Sequence, residues 1–202
     1  MWSCVLFCLL VTTSCSLKTG MNNLDNYDQP LGIREKPFSY WEWEAYTPRI
    51  IQDHVDMAFG IGYNRGIEEG FIDVDDADVR WPKTKTDMWD SHLGARFFPL
   101  GVKDRKIVPY VSGGVGYYEY DADTTTSVEY DENGEGGDNY RIDKHHDTGV
   151  HGYFNYLSIG LYVPLKKNFM LQTEFRRDFD KDHKQYDFSG YQVTVGLAFM
   201  HD

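Results

Sequence analysis

Read for hydrophobic and polar positions, the chain alternates with period two in several segments and nowhere sustains a helical period. The clearest run is the last. Tyr191, Val193, Val195, Leu197 and Phe199 are apolar, and the residues between them are polar or small. Phe169, Leu171, Phe175 and Phe179 oppose Gln172, Glu174, Arg176 and Asp178 in the same way. Val55, Met57, Phe59, Ile61 and Tyr63 oppose His54, Asp56, Gly60, Gly62 and Asn64, and Trp89, Leu93, Ala95 and Phe97 oppose Asp90, His92, Gly94 and Arg96. Segments 107–121 and 152–163 carry Gly and Tyr on both faces, so their alternation is blurred, although their β-forming composition and flanking turns are clear.

The connections between these segments alternate short and long: 99–106 and 164–168 are short, whereas 122–150 is long and polar. Short turns on one side and long loops on the other suit an up-and-down antiparallel barrel that crosses a membrane. If the last strand runs down, 181–187 and 122–150 are outer loops, and 164–168 and 99–106 are inner turns. Six strands would require 65–86 to be a single outer loop and 38–47 not to be a strand. Eight would take 38–47 up, 54–64 down, 70–81 up and 87–98 down. Eight is preferred, because Trp41, Trp43 and Ala45 alternate with Glu42 and Glu44. The expected fold is therefore all-β, a single transmembrane barrel of eight strands.

Periodicity does not say which face is inside, but residue type does. Gly60, Gly62, Gly94 and Gly196 lie on the polar faces and suit a crowded interior. Asp90, His92, Arg96, Glu174 and Arg176 are expected to form a polar network within it. Trp41, Trp81, Trp89, Phe98, Tyr117, Tyr118, Tyr162, Phe169, Phe179 and Phe199 lie near strand ends, where aromatic girdles meet the membrane interface.

The remaining sequence narrows the picture. Residues 4–11 (CVLFCLLV) are an apolar run too short to span a bilayer as a helix, and Thr12, Thr13 and Ser14 follow, which reads as a secretory signal over 1–15. Ser14-Cys15 resembles the end of a bacterial lipoprotein signal, making Cys15 a candidate for lipidation. Residues 16–37, with several Asn and Asp, read as a polar linker, and 38–202 as the barrel. Only Cys15 would remain after processing, so neither a disulfide framework nor a Cys-type metal site is expected. Of the 202 residues 16% are aromatic, and the formal charge of −12 argues against nucleic acid as a partner. Mean hydropathy of −0.54 excludes a helical membrane protein and leaves a barrel open, because alternating strands dilute the average.

Val108-Pro109-Tyr110-Val111-Ser112-Gly113-Gly114-Val115-Gly116-Tyr117 resembles the Pro-Tyr-Val-x-Gly-Gly-x-Gly-Tyr strand of the small outer-membrane β-barrel family, which includes the opacity-type and OmpA-type barrels. Leu93-Gly94-Ala95-Arg96-Phe97-Phe98 is similar to the strand before it, Leu171–Arg177 to the family's Leu-x-x-Glu-aromatic-Arg strand, and Val195–Phe199 to its C-terminal assembly signal. The resemblance implies eight strands and residence in the bacterial outer membrane, among lipid and lipopolysaccharide. Family members include adhesins and structural barrels.

Candidate chemistry is sparse. A lipid A hydrolase needs a Ser and a His meeting on the outer wall. Ser91 and His92 are adjacent and so face opposite ways along a strand, and Ser158 lies seven residues from His151. His145, His146 and His151 near Asp143 and Asp147 have no metal-site spacing, and the acidic stretch 121–138 lacks the ordered spacing of a calcium loop. No cofactor is implied, and eight strands leave an interior that side chains fill rather than a pore. The expectation is a non-enzymatic barrel with a structural or surface-interaction role and no identified extracellular partner. The alternatives are a lipid A-modifying hydrolase and a soluble lipocalin-like carrier with its apolar face inward.

Overall fold

A computed structural model describes residues 14–26, 38–47, 51, 53–68, 71–74, 77–80, 84–102, 107–130, 140–166, 168–180 and 187–200. The strands are β1 (Ser14–Asn26), β2 (Phe38–Tyr46), β3 (Val55–Glu68), β4 (Phe71–Val74), β5 (Ala77–Arg80), β6 (Thr84–Phe97), β7 (Val108–Tyr130), β8 (Tyr140–Lys166), β9 (Phe169–Asp180) and β10 (Asp187–Phe199). Eight of them close a barrel in the order β1-β10-β9-β8-β7-β6-β3-β2, every neighbouring pair antiparallel, and β4 and β5 form a separate two-stranded sheet.

The eight strands are not the eight expected. The stretch 16–37 was expected to be a linker, yet β1 occupies 14–26 and closes the barrel between β10 and β2, with Cys15 opposite both Phe199 and Ala45. A cut after residue 15 would remove the first two residues of that strand. Segment 70–81, expected in the wall, instead forms the β4–β5 hairpin, and β3 pairs directly with β6. Strand 55–68 therefore runs opposite to the expected sense. The expected loop 122–150 is largely strand: β7 and β8 continue together to the Tyr130↔Tyr140 pair, past the last pair of β7 with β6 (Lys85↔Asp123). Residues 1–13 of the expected signal lie outside the described residues.

Register defines the barrel. From Val55 the pairs run through Phe97, Val111, Ile159, Phe175, Val193, Met21 and Ser39 and return to β3 at Arg65, ten residues further up the same strand. A stagger of this kind tilts the strands by about 40°. Each row of paired residues thus climbs toward the long-loop end as it passes from β3 through β6, β7 and β8.

Even-numbered residues face the interior in all eight barrel strands and odd-numbered ones face outward. This resolves the blurred strands. Along the inner faces of β7 and β8 a glycine stands opposite each of four aromatics: Tyr110 faces Gly160, Gly114 faces Tyr156, Gly116 faces Phe154 and Tyr118 faces Gly152. The Tyr110 ring lies where a Cβ on Gly160 would be, so glycine is required there by close approach. Gly160→Val should displace that ring and lower stability by about 1–3 kcal/mol through overpacking. The check is the temperature at which the folded band disappears from an unboiled detergent gel; an unchanged temperature would mean that the ring does not rest on Gly160.

Candidate functional site

The barrel interior concentrates the polar chemistry of the chain. Buried within it are seven carboxylates (Glu42, Glu44, Asp56, Asp90, Glu174, Asp178, Asp180), with Lys18, Arg96, Arg176 and His92. Burial of so many charges is tolerable only if they pair.

At the short-turn end, Phe98, Val102, Val108, Tyr110, Tyr162, Ala198 and Met200 pack into an apolar plug. The rings of Tyr110 and Tyr162 stack with centroids 5.0 Å apart, and Phe98 lies 6.0 Å from Tyr110. Arg96 closes the plug from above. It meets Asp56 as a fork, Nε to Oδ1 and Nη2 to Oδ2 both at 2.7 Å, donates to the Tyr162 hydroxyl, and places its guanidinium 3.3 Å over the Tyr46 ring. Phe98, Tyr118 and Tyr162, expected in the membrane girdle, point inward and are no more than 1% exposed. Trp81 lies outside the described residues.

The middle layer centres on Lys18. Its Nζ lies 2.7 Å from Glu42 Oε1, 2.9 Å from Glu44 Oε2 and 3.3 Å from Glu174 Oε1, so one ammonium from β1 ties together β2 and β9. His92 lies 3.3 Å from both Glu42 and Glu44 through Nε2, and 3.2 Å from Asp90 through Nδ1. The Tyr46 hydroxyl donates to Glu44 at 2.7 Å, and the Tyr110 hydroxyl donates to Glu174 at 2.5 Å. Glu42, Glu44 and His92 bring their ligand atoms within 4.8 Å of one another, a donor set of the kind that takes a transition ion. However, the Lys18 ammonium already holds the cation position between the two glutamates.

The upper layer is carried by Arg176. Its Nε lies 2.7 Å from Asp178 Oδ1, and Gln192 Nε2 donates to Asp178 Oδ2 at 3.0 Å. Tyr118 donates to Asp180 at 2.5 Å, and Asn22 to Asn64 at 3.1 Å. An interior cavity at this level measures about 10 Å³, room for about one water molecule.

Of the five network residues expected from sequence, all are buried, but they separate by height. Asp90, His92 and Arg176 lie together where the middle and upper layers meet, Glu174 joins Lys18 and Tyr110 in the middle layer, and Arg96 belongs to the plug with Asp56. Sequence reading missed Lys18, Asp56 and Tyr46. The one available signal for Lys18 was a cation on the opposite parity to Leu17 and Met21.

Cys15 faces outward at the short-turn rim and is half-buried. Ser91 faces outward while His92 faces the interior, and Ser158 is buried inside while His151 is exposed outside, its Nδ1 2.9 Å from the Gly149 carbonyl oxygen. The side chains of His145, His146, Asp143 and Asp147, and of the acidic stretch beyond Asp121, lie outside the described residues.

The outer wall is mostly apolar, with Thr19, Ser91, Asn155, Thr173 and Arg177 among its outward residues. Val55–Tyr63, Trp89–Phe97 and Tyr191–Phe199 each present nine residues of wall whose outward positions are apolar apart from Ser91. Nine residues at about 3.3 Å rise and about 40° tilt span about 23 Å, close to the band of roughly 25 Å on a membrane barrel. Tyr63, Trp89, Tyr117, Tyr153, Phe179 and Tyr191 ring its upper edge, with Tyr63 and Trp89 4.7 Å apart and Tyr117 and Tyr153 5.4 Å apart. Arg65, Asp87, Glu119 and Asp121 follow immediately above. This inversion rules out the lipocalin-like arrangement, which needs an apolar interior.

No family model matches the sequence, and no curated protein matches it. Solved structures do. The chain is similar to Neisserial surface protein A, with a TM-score of 0.57 at 9% identity over 94% of this chain and 97% of that one. It is also similar to the outer membrane protein OprG from Pseudomonas aeruginosa, with a TM-score of 0.55 at 8% identity over 93% and 95%.

Proposed function

We propose that this chain, whose fold is that of the small eight-stranded outer-membrane β-barrels, resides in the bacterial outer membrane as a non-enzymatic barrel with a structural or surface-interaction role. The observation that carries the reading is the predominantly apolar belt on the outer wall, interrupted by Thr19, Ser91, Asn155, Thr173 and Arg177 and bounded above by aromatics and then by charges, around an interior of paired charges. On this reading the short-turn end faces the periplasm, and the β7–β8 ribbon projects outward from the long-loop end. The ribbon is the element placed to meet an extracellular partner. An acyl group on Cys15 would enter the inner leaflet directly, because the strand's phase turns that side chain to the lipid.

Fractionation tests the location. The protein should be recovered with outer membranes and should migrate differently on a detergent gel before and after boiling. Recovery as a detergent-free soluble protein with no such shift would overturn the reading. The apolar plug and the Arg96–Asp56 pair close the interior, so the reconstituted barrel should show no discrete conductance steps in planar bilayers. Stepwise openings would reassign it as a pore.

A further inference from the structure

A groove of about 520 Å³ runs along the outer wall across β6, β7 and β8. Phe59, Leu93 and Val115 form its lower side, with Tyr117, Tyr153 and Phe179 of the aromatic ring above, and Ser91 and Asn155 are its polar members. Asn155 is exposed on the outer wall, paired across the sheet with Val115 and Phe179. Neither its carboxamide nor the Ser91 hydroxyl has a protein partner among the described residues. The contrast is with Asn23, another outward carboxamide, whose Nδ2 donates to the Tyr191 hydroxyl at 2.7 Å, and with Thr19, which donates to the Tyr40 carbonyl oxygen at 3.2 Å.

An unpaired carboxamide facing hydrocarbon is costly. Its depth says what can pair with it. Asn155 lies one inward–outward repeat below Tyr153 and two below the His151–Glu119 pair, so it sits roughly 5 Å under Tyr153, at the lower edge of the aromatic ring, at the tilt and rise given above. That is the edge of the hydrocarbon, where the linkages between acyl chains and headgroups lie. We propose that this groove is a binding site for one acyl lipid of the outer leaflet, its chain lying against Val115, Leu93 and Phe59 and its linkage carbonyl accepting a hydrogen bond from Asn155 Nδ2, with Ser91 Oγ as a second donor. The inference rests on the membrane reading and adds to it a specific site with a stated chemistry.

Native mass spectrometry of the full chain released from detergent tests it, with two probes of equal chain length: ester-linked diacyl phosphatidylethanolamine and its ether-linked dialkyl counterpart, which lacks the carbonyl. The ester lipid should be retained as a single adduct at several-fold lower lipid concentration than the ether lipid, and Asn155→Leu should abolish that preference. Ser91→Ala should reduce it. Equal retention of the two lipids, or an unchanged preference in Asn155→Leu, would overturn the site. So would a change of oligomeric state in Asn155→Leu, which would make the groove an interface between barrels. Gel migration before and after boiling is read on the same samples. A variant that shifts normally yet shows no preference rejects the groove alone, whereas a wild-type chain that never shifts rejects the membrane reading.

Discussion

Val195→Arg should lower the unfolding free energy of the barrel by about 2–4 kcal/mol in lipid, whereas Tyr153→Arg should change it by no more than about 1 kcal/mol. Both positions face outward and are well exposed, Val195 at 46% and Tyr153 at 70%, so exposure alone predicts no difference in this direction. Depth separates them. Val195 sits midway along the apolar stretch of β10, four residues from Tyr191 at the upper rim and four from Phe199 at the lower, whereas Tyr153 belongs to the upper aromatic ring. In the middle of the belt a guanidinium must reach water past two inward–outward repeats of the strand; at the ring it is already there. In a soluble barrel both would be solvated surface positions, where substitutions usually fall within about 0.5 kcal/mol of neutral. Urea unfolding in phospholipid vesicles gives the comparison. Two small and equal effects would mean that the belt does not face hydrocarbon.

The two-faced alternation behind that inversion was legible from sequence where one face was uniformly apolar, as in Tyr191–Phe199, or mostly so, as in Phe169–Phe179 with its Thr173 and Arg177. It was less so where both faces carried Gly and Tyr. In β7 and β8 the small and large residues complement one another across the strands rather than along them, and cross-strand register is not visible in one segment at a time. The aromatics at the strand ends show the same limit. Position near a strand end does not say which way a ring points, but parity does: Phe98 follows outward Phe97, and Tyr118 follows outward Tyr117, so each pair can send only one ring to the membrane. Strand β1 was missed because its outward row mixes Leu17 and Met21 with Cys15, Thr19 and Asn23, which is too weakly apolar to stand out from a polar stretch. The charged network was visible as a set of residue types, but its division into layers depends on a ten-residue stagger that no local pattern encodes. The β4–β5 hairpin drew its residues into the wall count because short strands look alike whether or not they join a barrel.

Lys18→Met should destabilise the barrel by about 3–5 kcal/mol, the cost typical of breaking a buried ion pair by removing one partner. The reason is the number of partners. Lys18 is fully buried and meets Glu42, Glu44 and Glu174, and its removal leaves three carboxylates from two other strands facing one another without their shared cation. Its place on the strand that closes the barrel raises the consequence. Beyond the backbone ladder, the buried side chains of β1 among the described residues are Ser16, Lys18 and Asn22, and of these the lysine alone is charged and fixes β1 to β2 and β9. The folded band in an unboiled gel should therefore disappear at a clearly lower temperature than in the wild type. A combined variant distinguishes lost charge balance from lost packing. Adding Glu42→Gln, Glu44→Gln and Glu174→Gln to Lys18→Met removes the three uncompensated charges and should restore much of the stability, because a neutral, well-filled cluster often matches a buried ion pair. Stability of Lys18→Met equal to the wild type would show that Lys18 does not hold the closing strand. Failure of the added glutamines to restore any would assign the loss to shape instead of charge.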